Sequence, residues 1–99
     1  MQRKTALVTG ASHGIGQAIA IALAKNGYDV GVNYCNNAAG AEETCRLARE
    51  AGAKAVALRA DVSDYASLCG LFKEFYAAFG TIDLMVNNAG VSEFHPLLE

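Results

Sequence analysis

The sequence predicts an α/β fold built on a parallel sheet, and two observations indicate it. Short apolar runs alternate with longer segments whose apolar residues recur at helical spacing, in the order βαβαβαβ. Strands that alternate with helices in this way lie parallel and carry the helices on their faces. Because such crossovers are right-handed, a central first strand gives the strand order 3-2-1-4, the first half of a doubly wound sheet.

The first strand and the first helix are separated by a glycine-rich turn. Residues 5–9 form a short apolar run that ends at Gly10. Further on, apolar side chains recur every three or four residues, which predicts an amphipathic helix. The members of this stripe are Ile15, Ala18, Ile19, Ala22 and Leu23. Asn26 and Gly27 end the helix, because glycine readily adopts the left-handed conformation that follows a last helical turn.

The next two strands flank a second helix. Residues 29–34 are predicted as the second strand, followed by a turn at residues 36–37, and residues 55–60 as the third strand. A second helical stripe lies between them and is closed by Gly52. Its members are Ala41, Thr44, Cys45, Ala48 and Ala51. The second and third strands therefore extend the same parallel sheet.

A third helix and a fourth strand complete the pattern. Ser63 is the predicted N-cap of this helix, Asp64 lies near its positive end, and Gly80 ends it. Its apolar stripe is interpreted as core packing; the members are Leu68, Phe72, Phe75, Tyr76 and Phe79. Residues 82–86 are nearly continuous in apolar residues, as strands covered on both faces are. We therefore expect a further half of the fold to cover this strand, from outside residues 1–99 or from another chain.

The composition restricts the class of protein. The chain is 53% hydrophobic and 18% charged, which excludes disordered, collagen-like and disulfide-scaffold classes. A net charge of −2 gives no electrostatic reason to expect nucleic acid or an anionic membrane as a partner. The apolar runs are too short for a bilayer span or a secretory signal, so we expect a cytoplasmic protein. Cys35, Cys45 and Cys69 lack metal or redox spacing and are expected to be free thiols that serve as small packing residues.

The turn at residues 9–16 carries the chemistry of the chain. It lies at the carboxyl edge of the sheet, where the next helix begins with unpaired backbone N–H groups and a partial positive charge. A diphosphate binds readily at such a helix start. Gly10 permits the tight turn, Gly14 admits a ligand or backbone where a Cβ would collide, and Gly16 allows close packing of the helix. Ser12 can add a hydroxyl donor to a phosphate oxygen.

Other nucleotide-binding motifs fit this turn less well. Its spacing is Gly-x-x-x-Gly-x-Gly, which differs from the Gly-x-Gly-x-x-Gly fingerprint, and it lacks the lysine of a Walker-type loop. A flavodoxin-like or receiver-like domain stays open as an alternative. A receiver would need clustered carboxylates after the first strand, and the turn contains none.

Three motifs in this order resemble the short-chain dehydrogenase/reductase family. They are Thr9-Gly10-x-x-x-Gly14-x-Gly16 after the first strand, Asp61-Val62 after the third, and Asn87-Asn88-Ala89-Gly90 after the fourth. Residues 6–16 are most similar to the subgroup that includes 3-oxoacyl-carrier-protein reductases. The resemblance implies a Rossmann-type fold, of which residues 1–99 are the dinucleotide-binding portion without the C-terminal catalytic half.

By this resemblance, residues 10–16 hold the diphosphate and adjacent ribose of a nicotinamide cofactor. The full predicted set is Gly10, Ser12, His13, Gly14, Ile15, Gly16, Asn33, Tyr34, Cys35, Asp61, Val62, Asn88, Ala89 and Gly90. Asp61 would accept a hydrogen bond from the adenine amino group and Val62 would contact the ring, although Asp61 also suits a cap of the third helix. Asn87 is interpreted as a structural tie from the fourth strand to its neighbours. His13 replaces an arginine that can pair with a 2′-phosphate, and a solvated loop residue is its alternative role.

The end of the second strand favours NADP over NAD. Proteins that select NAD place an acidic residue about twenty residues past the glycine turn, and this carboxylate repels a 2′-phosphate. Residues 33–37 contain no acid, and the next one is Glu42. Asn33, Asn36 and the backbone near Cys35 can donate hydrogen bonds to a phosphate. The segment has no arginine or lysine, so we expect a moderate preference for NADP, with NAD as the alternative.

The family resemblance implies hydride transfer between the nicotinamide and a small carbonyl or alcohol substrate, in a homo-oligomer when complete. The family uses a serine and a Tyr-x-x-x-Lys pair, and no tyrosine of this chain has lysine four residues later. We therefore predict no catalytic residue within residues 1–99 and no turnover by them alone. A non-catalytic dinucleotide-binding sensor or interaction module is the alternative function.

Overall fold

The computed structural model describes residues 3–88, which form four strands and three helices in strict alternation. The strands are β1 (Lys4–Val8), β2 (Tyr28–Tyr34), β3 (Ala55–Arg59) and β4 (Leu84–Val86). The helices are α1 (Gly14–Lys25), α2 (Ala38–Glu50) and α3 (Tyr65–Phe79). All neighbouring strands pair in parallel, in the order β3-β2-β1-β4. The predicted fold class and strand order are confirmed.

Strand β4 is shorter than predicted, and the residues just before it are held to β1 by hydrogen bonds that include side chains. The Asp83 carboxylate accepts a hydrogen bond from the Thr5 amide at 2.8 Å. The Thr5 hydroxyl donates to the Thr81 carbonyl at 2.7 Å. Together with a backbone hydrogen bond from the Asp83 amide to the Thr5 carbonyl at 3.0 Å, these contacts hold the segment before β4 against the start of β1, and the paired strand begins at Leu84. The exposed fractions of Leu84 and Met85 are 36% and 40%, so this apolar edge of the described sheet faces solvent.

The core consists of two layers, one on each face of the sheet. Side chains alternate along a strand, so neighbouring residues of β1 enter different layers. Ala6 and Val8 pack with α1 and α2, whereas Leu7 packs with Leu71 and Phe75 of α3. The α2 stripe was predicted correctly at four of its positions, which are fully buried: Ala41, Thr44, Cys45 and Ala48.

The predicted core face of α1 is wrong in part. The buried residues of this helix are Gly16, Ala20 and Ala24, while Ile15 is 72% exposed. Ala18 and Ala22 are exposed as well, and Ile19 and Leu23 pack partly against the core. At Gly16 the helix lies so close to the turn before it that a Cβ would collide, and the small residues Ala20 and Ala24 continue this buried face along the helix. The larger residues that suggested the stripe lie beside that face.

The start of α3 differs from its prediction by one residue. Asp64, not Ser63, is the N-cap, and its side chain accepts a hydrogen bond from the Ser67 amide at 2.9 Å. The Ser63 hydroxyl is engaged elsewhere, since it donates to Asp61 Oδ1 at 2.6 Å. Further along α3, Tyr76 is 47% exposed and does not belong to the core stripe.

The cysteines have three different environments. Cys45 is buried in the layer formed with α1 and α2, and burial raises the pKa of its thiol. Cys35 is half-buried, and Cys69 is exposed on α3, so the predicted packing role is wrong for Cys69. All three are free thiols, as predicted. Among residues 3–88, no helix has the length and apolar character needed to cross a bilayer.

Candidate cofactor site

The glycine-rich turn between β1 and α1 is fixed by hydrogen bonds to β2. Gly10 and Gly14 have φ of 62° and 60°, in the left-handed region that other residues rarely adopt. The Gly10 amide donates to Asn33 Oδ1 at 3.2 Å, and the Ala11 amide donates to the Asn33 carbonyl at 2.8 Å. The turn is therefore held in a defined shape at the carboxyl edge of the sheet.

Helix α1 begins without a side-chain cap. Its N-cap residue is His13, whose side chain makes no capping hydrogen bond. The ring Nδ1 instead lies 3.1 Å from the Ser12 hydroxyl, and the first intrahelical hydrogen bond reaches His13 from the Gln17 amide at 3.3 Å. The amides of residues 14–16 thus precede the helical ladder and carry the partial positive charge of the helix start.

Gly16 brings α1 into contact with the turn itself. A Cβ at this position would lie 2.1 Å from the Gly10 carbonyl oxygen and 2.8 Å from Asn88 Nδ2. Asn88 Nδ2 donates to that same carbonyl at 3.1 Å. A Cβ at Gly14, in contrast, would meet no atom within 4 Å. Gly16 therefore closes the turn against the protein, whereas Gly14 faces open space.

A cavity of about 320 Å³ lies beside the turn, at the carboxyl ends of the strands. This volume is at the lower end of the range for small-molecule sites. Its lining residues lie in or just after the carboxyl-terminal parts of the four strands, or in the loop before α3 and the first turn of that helix. They are Thr9, Asn33, Cys35, Asn36, Ala60, Asp61, Val62, Ser63, Leu68, Met85 and Asn87.

Asp61 lies exposed in this cavity with an ionised carboxylate. Its Oδ1 accepts hydrogen bonds from the Ser63 hydroxyl at 2.6 Å and the Ser63 amide at 3.0 Å. These two bonds, with a smaller contribution from the charge of Arg59, hold the pKa of Asp61 below its ordinary value. Asp61 therefore organises the turn that leads to α3, although it is not the N-cap of that helix. The structure places Val62 beside it, partly buried.

The predicted residues at the end of β2 differ in what they offer a ligand. The Asn33 side chain is 2% exposed; it accepts from Gly10 and donates to the carbonyls of Leu58 and Ala60 at 3.1 and 3.3 Å. It therefore serves the fold, and its binding role stays a prediction. Tyr34 is half-buried against the core, and Cys35 lines the cavity.

The fourth predicted segment is described only in part. The Thr9 hydroxyl donates to Asn87 Oδ1 at 3.2 Å, which ties the end of β4 to the end of β1 as expected for Asn87. Asn88 contacts the glycine turn, as given above. Ala89 and Gly90, the last two residues of the predicted cofactor-binding set, lie outside the described residues.

Comparison with known proteins identifies the family. The sequence profile described as short chain dehydrogenase matches residues 4–99, nearly the whole chain. This chain belongs to the short-chain dehydrogenase family. The family binds nicotinamide dinucleotides, and its members catalyse oxidation and reduction.

Individual relatives of this short-chain dehydrogenase chain are substantially longer. An uncharacterized oxidoreductase of Methylorubrum extorquens is 48% identical over 99 residues, which cover 100% of this chain and 40% of that protein. A 3-oxoacyl-acyl-carrier-protein reductase of Staphylococcus aureus is 41% identical over 95 residues, covering 96% of this chain and 39% of that protein. The chain thus spans about 40% of the length of these curated relatives.

Solved structures of short-chain dehydrogenases share the described fold. A Burkholderia cenocepacia protein classed as a dehydrogenase, with bound NADP, is 35% identical with a TM-score of 0.83, covering 87% of this chain and 34% of that one. A Serratia marcescens short-chain dehydrogenase/reductase variant is 39% identical with a TM-score of 0.84, covering 88% of this chain and 36% of that one.

Two sets of residues that lie near the glycine-rich turn or the end of β2 were missed by the sequence analysis. Thr44 and Gly40 of α2 contact the backbone of the turn, and Thr44 was assigned only to the apolar stripe. Arg59 pairs in register with Tyr34 and acts on the Asp61 carboxylate. Aligning the carboxyl ends of parallel strands would have brought Arg59 to the β2 edge. A threonine within an otherwise apolar stripe was the signal available for Thr44.

Proposed function

We propose that this chain holds a nicotinamide dinucleotide, NADP in preference to NAD, for hydride exchange with a carbonyl or alcohol substrate. The observation that carries the proposal is the uncapped start of α1. Within residues 3–88 the amides of residues 14–16 have no hydrogen-bond acceptor, and they lie with the left-handed glycines Gly10 and Gly14 at the carboxyl edge of the sheet, near the cavity. Helix starts of this kind bind diphosphates.

The residues present fit the cofactor. The space beside Gly14 is open where a Cβ would stand, so a diphosphate can approach the backbone. The amides of residues 14–16 and the Ser12 hydroxyl would hold it, and the exposed Ile15 side chain would cover part of the ligand. Asp61 and Val62 would hold the adenine, because the ionised carboxylate accepts hydrogen bonds and Val62 is apolar. When bound, the nicotinamide supplies or accepts the hydride.

The preference for NADP rests on charge at the end of β2. Residues 33–37 contain no acid that would repel a 2′-phosphate, and Arg59 on the adjacent strand adds positive charge near this edge. We expect NADPH to bind about tenfold to a hundredfold more tightly than NADH, which corresponds to roughly 1.4–3 kcal/mol. The comparison is made by titration calorimetry at fixed salt. A preference for NADH would contradict the proposal.

Asn36→Asp is the sharper test of this preference. Asn36 is exposed and lines the cavity, so a carboxylate there adds repulsion without disturbing the core. Asn33→Asp is unsuitable, since its carboxylate would face the carbonyls of Leu58 and Ala60. We expect Asn36→Asp to shift the preference toward NADH by about tenfold, while Asn36→Ala, which only removes the donor, shifts it less. Equal shifts in the two variants would argue against charge as the cause.

We further propose that hydride transfer needs residues beyond these 99. The tyrosines Tyr28, Tyr34, Tyr65 and Tyr76 are followed four residues later by Val32, Ala38, Cys69 and Gly80, so the family's Tyr-x-x-x-Lys pair is absent from them. The exposed apolar edge of β4 supports the same proposal. Residues 1–99 alone should bind NADPH without reducing any carbonyl substrate. Measurable NADPH oxidation by this purified chain would contradict the proposal.

For the whole protein we propose 3-oxoacyl thioesters as the substrate class. The Staphylococcus aureus relative supports this choice, because it is named as a 3-oxoacyl-acyl-carrier-protein reductase. The test compares two values of kcat/KM at saturating NADPH. One is measured with a 3-oxoacyl thioester, and the other with acetoin, a small ketone that has no thioester group. A higher value for the thioester supports the proposal, and a higher value for acetoin contradicts it.

A further inference from the structure

Helix α2 contacts the glycine turn closely, next to the first turn of α1. A Cβ at Gly40 would lie 2.3 Å from the Ser12 carbonyl oxygen, so helix and turn meet backbone to backbone. Glycine inside a helix is unfavourable relative to alanine. The close contact explains its presence in the first turns of α2 and indicates that α2 and the turn are fixed relative to each other.

Thr44 provides the directed part of this contact. Its side chain is fully buried, and its hydroxyl lies within donating distance of two carbonyl oxygens, that of Ala11 at 2.8 Å and that of Gly40 in its own helix at 2.9 Å, which share its one proton. Gln17 Nε2 of α1 donates in turn to the Thr44 hydroxyl at 2.8 Å. One threonine hydroxyl therefore joins α2, the glycine turn and α1. Removing it would leave the buried Ala11 carbonyl and the Gln17 amide without this partner.

The contact also sets the direction of an amide in the turn. No peptide bond among the described residues is cis, and in a trans peptide the carbonyl and the following N–H point in opposite directions. Because the Ala11 carbonyl points to Thr44, the Ser12 N–H points away from α2. The Ser12 amide makes no hydrogen bond within residues 3–88, and Ser12 as a whole is only 5% exposed, so a ligand can reach this amide only by lying directly against the turn.

We propose that Thr44 is a positioning residue for the diphosphate of the cofactor. Its hydroxyl fixes the Ala11–Ser12 peptide so that the Ser12 amide joins those of residues 14–16 as a donor. Gln17 holds the hydroxyl in this orientation. The inference rests on the proposed function and adds to it a residue of α2 that touches no cofactor.

The test compares Thr44→Val with Thr44→Ser. Valine keeps the shape of the side chain and removes the hydroxyl, whereas serine keeps the hydroxyl and removes the methyl group. Affinity is measured for NADPH and for adenosine 2′-phosphate, which lacks the diphosphate. We expect Thr44→Val to bind NADPH about tenfold more weakly, a loss of about 1.4 kcal/mol, and adenosine 2′-phosphate as wild type does. Thr44→Ser should bind both ligands nearly as wild type does, even if its thermal stability falls.

Two outcomes would overturn the inference. One is wild-type NADPH affinity in Thr44→Val, and the other is an equal loss for both ligands, which indicates general loosening of the fold. If Thr44→Val does not fold, the same two affinities are measured for Gln17→Met. Methionine keeps the length of the Gln17 side chain but lacks the Nε2 donor that bonds the Thr44 hydroxyl. A loss of about threefold confined to NADPH supports the inference, and unchanged affinity overturns it. Failure of the wild-type protein to bind either NADPH or NADH would instead refute the proposed function.

Discussion

Helices α1 and α3 both begin at the carboxyl edge of the sheet, yet their first turns have different partners. At α3 the Asp64 carboxylate accepts a hydrogen bond from the Ser67 amide at 2.9 Å. At α2 the Asn37 side chain does the same for the Gly40 amide, also at 2.9 Å. At α1 the N-cap residue His13 makes no such bond. One amide at each of these two helix starts is thus bonded to a cap side chain, whereas within residues 3–88 no side chain caps the start of α1.

Under the proposed function, this difference separates helix starts that serve stability from one that serves binding. An N-cap side chain contributes about 1 kcal/mol, so the chain forgoes that stability at α1. The turn before α1 also holds two glycines in the left-handed region. A ligand diphosphate would replace the missing cap and recover part of the free energy. The predictions below change one helix start at a time.

The largest effect is expected at Gly16. Gly16→Ala places a Cβ 2.1 Å from the Gly10 carbonyl oxygen, so the turn and α1 must separate. We expect NADPH affinity to fall at least about a hundredfold, or roughly 2.8 kcal/mol. Gly70→Ala in α3 is the matched control, because its Cβ would meet no atom within 4 Å. It should stabilise the fold by about 0.5–1 kcal/mol and leave affinity unchanged. Wild-type affinity in Gly16→Ala would show that the packing of α1 on the turn is unimportant.

Gly14→Val should weaken NADPH binding at least tenfold, about 1.4 kcal/mol, because its side chain enters the space that the diphosphate needs. The residue also has φ of 60°, which a branched side chain disfavours. Gly80→Val shares such strain at φ of 81° but ends α3, away from the turn. Both variants should lose stability in denaturant titrations, and only Gly14→Val should lose affinity. If the two variants bind NADPH with equal affinity, Gly14 does not belong to the binding site.

Adding a cap to α1 and removing the cap of α3 should change stability and NADPH affinity independently of each other. His13 has φ of −163° and ψ of 175°, an extended conformation that suits an N-cap. His13→Asp should therefore stabilise the free protein by about 1 kcal/mol. It should weaken NADPH binding several-fold, because the new carboxylate competes with the diphosphate. Asp64→Ala should do the reverse, costing about 1 kcal/mol of stability without a change in affinity. A loss of affinity in Asp64→Ala as large as that in His13→Asp would contradict the comparison.

The smallest effect concerns the turn before α3. The Ser63 hydroxyl and amide lower the pKa of Asp61, so the carboxylate favours the folded state above its ordinary pKa of 3.8, and this contribution disappears as the pH falls through the lowered value. Ser63→Ala should raise the pKa of Asp61 toward 3.8, measured by NMR titration of the carboxyl carbon. Ser67→Ala is the control, because its hydroxyl contacts the Asp61 amide rather than the carboxylate. An unchanged midpoint in Ser63→Ala would show that this hydroxyl does not set the pKa.

The sheet and the glycine turn were predictable from the sequence because each depends on a local pattern. Alternating apolar periods specify the strands and helices, and the glycine spacing marks the turn. The exposed position of Ile15 was not predictable, because the rotation of α1 is set by the contact of Gly16 with Gly10 across the turn. The cap at Asp64 was missed by one residue, since Ser63 is engaged by Asp61.

The supporting contacts of the site were the least predictable part. Asn33 suggested a phosphate donor, but its side chain is engaged by backbone groups of two other segments, the glycine turn and the end of β3. Thr44 lies 33 residues from the carbonyl it contacts. Such contacts depend on how closely two elements approach, which periodicity and motif spacing do not specify.

The most direct measurement is an amide NMR titration of the protein with NADPH. If the uncapped start of α1 holds the diphosphate, the largest shifts should occur at the amides of Ser12, Gly14, Ile15 and Gly16. The capped Ser67 amide at the start of α3 should shift little, because it already has a partner within the protein. Saturable NADPH binding that leaves the amides of residues 12–16 unchanged would contradict the assignment of the site.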